Sequence, residues 1–114
     1  MDERRTEYRF LCADLVPVSW MLDGQKHEEH ANIEDVSPSG CRLLMDQAVP
    51  ESTAIEIRCG EHLFHGAVRY CRSTEIGFDI GVQFAQPGTW DRQEFEPKHF
   101  FDARSLNKPK SNPA

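Results

Sequence analysis

The segment FDIGVQF (residues 78–84) alternates Phe78, Ile80, Val82 and Phe84 with Asp79, Gly81 and Gln83. A period of two is the spacing of a β-strand with one buried and one wet face. AIEIRC (54–59) repeats it, with Ile55, Ile57 and Cys59 set against Glu56 and Arg58. LVPVSWML (15–22) reads as a further strand, in which Pro17 predicts an edge position because proline lacks a donor for one neighbour. The Asp-Gly pair at 23–24 marks a tight reversal. QKHEEH then either prolongs that turn or begins a return strand through Ala31 and Ile33. SPSG (37–40) interrupts the chain, CRLLM (41–45) resumes it, and VPEST (49–53) is another turn. GEH (60–62) links to LFHGAVRYCR (63–72). Six short strands at roughly ten-residue spacing predict a small antiparallel barrel or sandwich.

Beyond Phe84 the period changes. PGTWDRQEF (87–95) predicts a short C-terminal helix with Thr89 as its N-cap and Trp90 and Phe95 for packing. Pro97 ends that helix or opens a second one carrying Phe100 and Phe101. These aromatics are expected to cover an open barrel end rather than to bind a cofactor. NKPKSNPA is a polar tail expected to be disordered.

The 114 residues fit one domain, and no apolar run approaches the ~20 residues of a membrane span. The start, MDERRTEYRF, has no hydrophobic signal core, so a cytoplasmic location is expected and membrane insertion is not. A formal net charge of -6 argues against broad binding to DNA, RNA or an anionic membrane, so any anion site must be local. Cys12, Cys41, Cys59 and Cys71 form no CxxC pair, and Cys41 and Cys59 occupy apolar strand positions, as buried free thiols would. Cys59, His62 and His65 could hold a metal only if a turn gathered them, and no fourth ligand is evident. The expectation is no metal and no cofactor.

Against this acidic background, RRTEYR (4–9) places three arginines in six residues. DVSPSG (35–40) lies where one strand ends and the next begins. Asp35 brings a carboxylate, Ser37 a hydroxyl, and Gly40 a point of close approach for a ligand or backbone. Taken alone, the first is a solvated terminus and the second an Asx-type turn with a glycine at positive φ.

Together the two segments resemble the PilZ domain family, which carries RxxxR on an N-terminal arm and D/NxSxxG on the barrel surface. Arg5 and Arg9 match the first motif; Asp35, Ser37 and Gly40 match the second. GAVRYCRSTEIGFDIGVQF (66–84) is similar to the family's closing strands. The resemblance implies an all-β fold: a six-stranded antiparallel barrel with a short C-terminal helix. On that basis residues 1–10 are a mobile basic arm, 11–104 the barrel with its helical segment, and 105–114 the disordered tail.

The implied activity is binding of the bacterial second messenger cyclic di-GMP, with no catalysis. Arginine suits such a ligand because it pairs with phosphate in a fork, stacks on a base, or addresses guanine O6 and N7. Asp35 is suited to accept from guanine's Watson–Crick edge, and Ser37 to add a hydrogen bond. Arg4, just before RxxxR, is associated within the family with capture of two stacked ligand molecules. With no output domain in the sequence, a separate effector protein is expected downstream, reached by closure of the arm over the ligand. The alternative is a PilZ-like adaptor that meets its protein partner without any ligand. An enzyme is not expected: no nucleophile, base and orienting acid occur together, and no GxxxxGK phosphate loop is present.

Overall fold

The structure is a computed structural model that describes residues 9–86 and 88–101. Its six strands are β1 (Phe10–Leu22), β2 (Gln25–Ser37), β3 (Gly40–Met45), β4 (Ala54–Cys59), β5 (His62–Thr74) and β6 (Gly77–Phe84). All pairings are antiparallel, and the order β1-β2-β3-β6-β5-β4 closes on itself as a barrel. Two three-strand meanders, β1–β3 and β4–β6, are therefore joined at β3–β6 and at β1–β4.

The apolar rows found by alternation meet inside. Val16, Val18 and Trp20 face Ala31, Ile33, Leu43, Ile57, Phe64, Val68, Ile80 and Val82 in one buried cluster. Fully burying each such side chain favours the fold by about 1.5–3 kcal/mol. The reversal after β1 is a two-residue hairpin: Leu22 pairs with Gln25, and Asp23 and Gly24 both take positive φ. That is the backbone handedness such a loop needs to match strand twist. Of the two readings of QKHEEH, the return strand is realised, starting at once at Gln25.

Three expectations are corrected. Pro17 does not mark an edge, because closure leaves β1 flanked on both sides. It pairs with His30 on β2 and stands one residue outside the Val18–Trp20 stretch that meets β4, so the β1–β4 ladder begins just past it. Strand β1 also starts at Phe10, well before Leu15, and the Phe10 ring is buried.

The third correction concerns the segment after β6, where no helix occurs among the described residues. Only one helical turn forms: the Phe95 and Glu94 amides both donate to the Asp91 carbonyl. Asp91, not Thr89, caps it, accepting from the Gln93 amide at 3.1 Å. Thr89 instead donates to the Gln86 carbonyl. Two tertiary demands stop propagation. The buried Trp90 indole donates to the Phe95 carbonyl at 2.8 Å, and Pro97, which is fully buried, disfavours helical geometry at Glu96.

The segment packs where β1 begins and β6 ends. Phe10 lies 5.5 Å from Trp90 and 5.2 Å from Phe100, ring centre to ring centre. Phe101, by contrast, is partly exposed and meets β1 through its backbone, exchanging hydrogen bonds with Leu11.

Cys12, Cys41 and Cys59 are buried free thiols. Burial foremost, with Asp35 and Asp14 nearby, pushes Cys12 from the ordinary 9.0 to about 12. Burial does the same to Cys59, also to about 12, and lifts Cys41 well above its ordinary value. The unfolded chain sheds the Cys12 and Cys59 protons near 9.0, whereas the folded chain keeps them to about 12. Stability is therefore whole below that window and falls as pH rises through it, by about 1.4 kcal/mol per pH unit per thiol at most. Urea melts between about pH 8 and pH 11 should show this decline. Cys59→Ala should flatten it, and a slope indifferent to that substitution would refute the account.

Candidate functional site

Strict alternation from Ile33 would send Asp35 into the apolar core. It does not go there. Ile33 pairs with Leu43 and Asp35 with Arg42, so β2 carries one extra residue, Glu34, between two consecutive β3 positions. Such a bulge resets the parity of everything after it. Val36 now faces the core opposite Cys41, while Asp35 and Ser37 share the outer face with Arg42 and Gly40.

Strand β5 uses the same device. Val68 pairs with Val82 and Tyr70 with Gly81, leaving Arg69 as the extra residue. Tyr70 is thereby turned outward, and its ring lies over Gly81 where any larger side chain would collide with it. Arg72 sits above the same ring at 4.2 Å.

Between these two bulges runs a groove of about 460 Å³ whose lining includes Arg9, Ser37, Gly40, Arg69, Tyr70 and Gln83. Arg69 donates to the Gln83 side-chain oxygen at 2.8 Å. Arg9 lies against Asp35, its Nη2 3.4 Å from Oδ1. The Arg42 Nε donates to Asp35 Oδ2 at 3.0 Å, and its Nη1 lies 3.1 Å from Glu34 and 3.7 Å from Asp79. Partial burial works against the Arg42 charge, but the Asp35 hydrogen bond and the three carboxylates outweigh it and raise its pKa.

Asp35 is only 6 % exposed, yet its Oδ1 has no hydrogen-bond partner among the described residues. The Arg9 contact is an ion pair by distance without hydrogen-bond geometry. Ser37 is 2 % exposed, and its hydroxyl donates to the Gly40 carbonyl at 3.3 Å, tightening the Pro38–Ser39 turn.

The structure thus brings Arg9, Asp35, Ser37 and Gly40 together at one end of the barrel. Arg4 and Arg5 lie outside the described residues. Gly40 is there for a reason other than positive φ, which it does not have. A Cβ at this position would run into the Val82 carbonyl oxygen, so glycine allows β3 to close on β6.

Three residues of the neighbourhood escaped the sequence reading: Arg42, Arg69 and Tyr70. Arg42 was within reach. Counting outward from the Pro38–Ser39 turn pairs Ser37 with Gly40, Val36 with Cys41, and Asp35 with Arg42. Arg69 and Tyr70 left no such signal, because the β5 bulge is not written in the local alternation.

The cysteine–histidine reading does not assemble. Cys59 is in the core, His65 is exposed beside Glu56, and His62 stacks on Phe64. Among the described residues no three His, Cys, Asp or Glu side chains gather as a metal site would require. No helix among them is long and apolar enough to cross a membrane.

A sequence profile of the PilZ domain matches residues 3–96, and the chain belongs to that family. PilZ domains are binding and receptor domains, associated with cyclic di-GMP. No curated protein matches the chain.

Gly40→Ala should therefore lower the melting temperature, at a cost of about 1–3 kcal/mol from overpacking against backbone. A thermal melt checks this. An unshifted melt would mean that β3 and β6 can part at no cost, contrary to the packing.

Proposed function

We propose that this protein is a receptor for cyclic di-GMP, which docks on the Asp35–Gly40 surface and is clasped by the arginine arm. The observation that carries the reading is a buried carboxylate whose Oδ1, ion-paired with Arg9, accepts no hydrogen bond among the described residues, beside a groove flanked by two guanidinium groups. Leaving a buried acceptor unsatisfied costs about 1–3 kcal/mol, and such groups in native proteins call for an explanation. Guanine's N1–H and N2–H₂ supply donors of the kind Oδ1 lacks. Arg9 and Arg69, on opposite sides of the groove, offer charge and planar faces to a ligand with two phosphodiesters and two bases.

Arg5 completes the RxxxR pair, and Arg4 adds a third guanidinium that serves a second, stacked ligand molecule. Ser37 contributes through its oxygen lone pairs, since its proton is directed at the Gly40 carbonyl. Fixing the arm that precedes Arg9, about eight residues, costs on the order of 10 kcal/mol of backbone entropy. Charged contacts and stacking to the ligand offset that cost, so ligand occupancy and arm closure are coupled as a two-state switch. The altered surface is what a separate effector protein reads.

Calorimetric titration should give cyclic di-GMP binding in the micromolar range or tighter, about -8 kcal/mol, with two ligands per chain. Arg4→Ala should reduce the count to one. Absence of heat and of any thermal shift would leave the ligand-independent adaptor as the better reading.

Arg5→Ala and Arg9→Ala should each weaken binding by about 1.5–3 kcal/mol while leaving the ligand-free melting temperature almost unchanged. Amide exchange across residues 3–9 should slow on ligand addition, with little change in the barrel strands. Unaltered affinity in both arginine variants would reduce the arm to a solvated terminus.

A further inference from the structure

We infer that Arg42, which belongs to neither motif, is the positioning residue that makes Asp35 a guanine acceptor, by occupying Oδ2 and turning Oδ1, which accepts no hydrogen bond among the described residues, toward Arg9. The inference rests on the receptor reading above and concerns how its central carboxylate is held.

The geometry is specific. Asp35 and Arg42 are direct cross-strand partners on the outer face, brought there by the bulge at Glu34. Nε, the inner donor of the guanidinium, bonds Oδ2 at 3.0 Å, which fixes the carboxylate plane. The outer nitrogen Nη1 is held from two sides, by Glu34 at 3.1 Å and by Asp79 on β6 at 3.7 Å. Arg42 is therefore braced from two strands besides its own, and Asp35 inherits that rigidity. A bound base meets an acceptor whose rotamer is already set, so less side-chain entropy is lost on docking.

Charge points the same way. Arg9 and Arg42 meet Asp35 directly, Glu34 on β2 and Asp79 on β6 share Arg42 with it, and the buried Cys12 and Cys41 thiols lie within reach of its charge. Arg42 is the cation common to Glu34, Asp35 and Asp79. Without it three carboxylates crowd one patch of surface with no shared cation to hold them in place. Arg42 thus keeps the carboxylate aimed while touching no ligand atom.

The test compares wild type, Arg42→Lys and Arg42→Gln by calorimetric titration with cyclic di-GMP, each with a ligand-free thermal melt. Arg42→Gln should bind roughly tenfold more weakly. Arg42→Lys, which keeps the charge and loses the fork, should recover part of the affinity.

If Arg42→Gln melts without cooperativity, Arg42→Lys carries the test: a two- to five-fold loss with an unshifted melt supports the inference. Wild-type affinity in both variants would overturn it. So would losses that only track the fall in melting temperature, since Arg42 would then hold the barrel and not the carboxylate. Failure of the wild type itself to bind would sink the receptor reading instead, and the two failures are distinguishable.

Discussion

The close approach of β3 to β6 at Gly40 is the constraint on which the site depends. The Val82 carbonyl occupies the space a side chain would need, so the strand entering from the Pro38–Ser39 turn lies flush against its neighbour. This contact joins the two meanders at the end of the barrel where β1 begins. The two-residue Pro38–Ser39 turn beside it sets the β2–β3 register, and with it the pairing of Asp35 with Arg42. A motif glycine that looks like a concession to the ligand is first a condition for barrel closure.

From that register the remaining features follow by short physical steps. Bulges at Glu34 and Arg69 turn Asp35 and Tyr70 outward on the two sides of one groove. The buried carboxylate is tolerated because Arg42 bonds one oxygen and Arg9 lies against the other, which accepts no hydrogen bond among the described residues.

The C-terminal segment serves the same end of the molecule by other means. Trp90 and Phe100 pack on Phe10, the residue next to Arg9, and the Trp90 amide donates to the Pro38 carbonyl in the motif turn. The segment thus buttresses both the root of the arm and the loop that carries the motif. It does so in an irregular path, because one buried indole and one buried proline make demands that a regular helix would not meet.

Six strands, their inward residues and the hairpin at Asp23–Gly24 were legible in the sequence, since alternation and turn chemistry are local properties of the chain. So was the coincidence of RxxxR with DxSxxG, and counting from the turn would have reached Arg42. What local pattern could not carry was the face on which Asp35 and Tyr70 lie. Alternation places both inside; the strands opposite them decide where the extra residue goes, and so reverse the assignment. The same holds for Pro17, which reads as an edge until closure gives β1 a second neighbour. It holds again for Asp79, which joins Arg42 only because β6 lies beside β3. Periodicity belongs to one strand, whereas register, bulges and closure belong to pairs of strands, and the site is made from the latter.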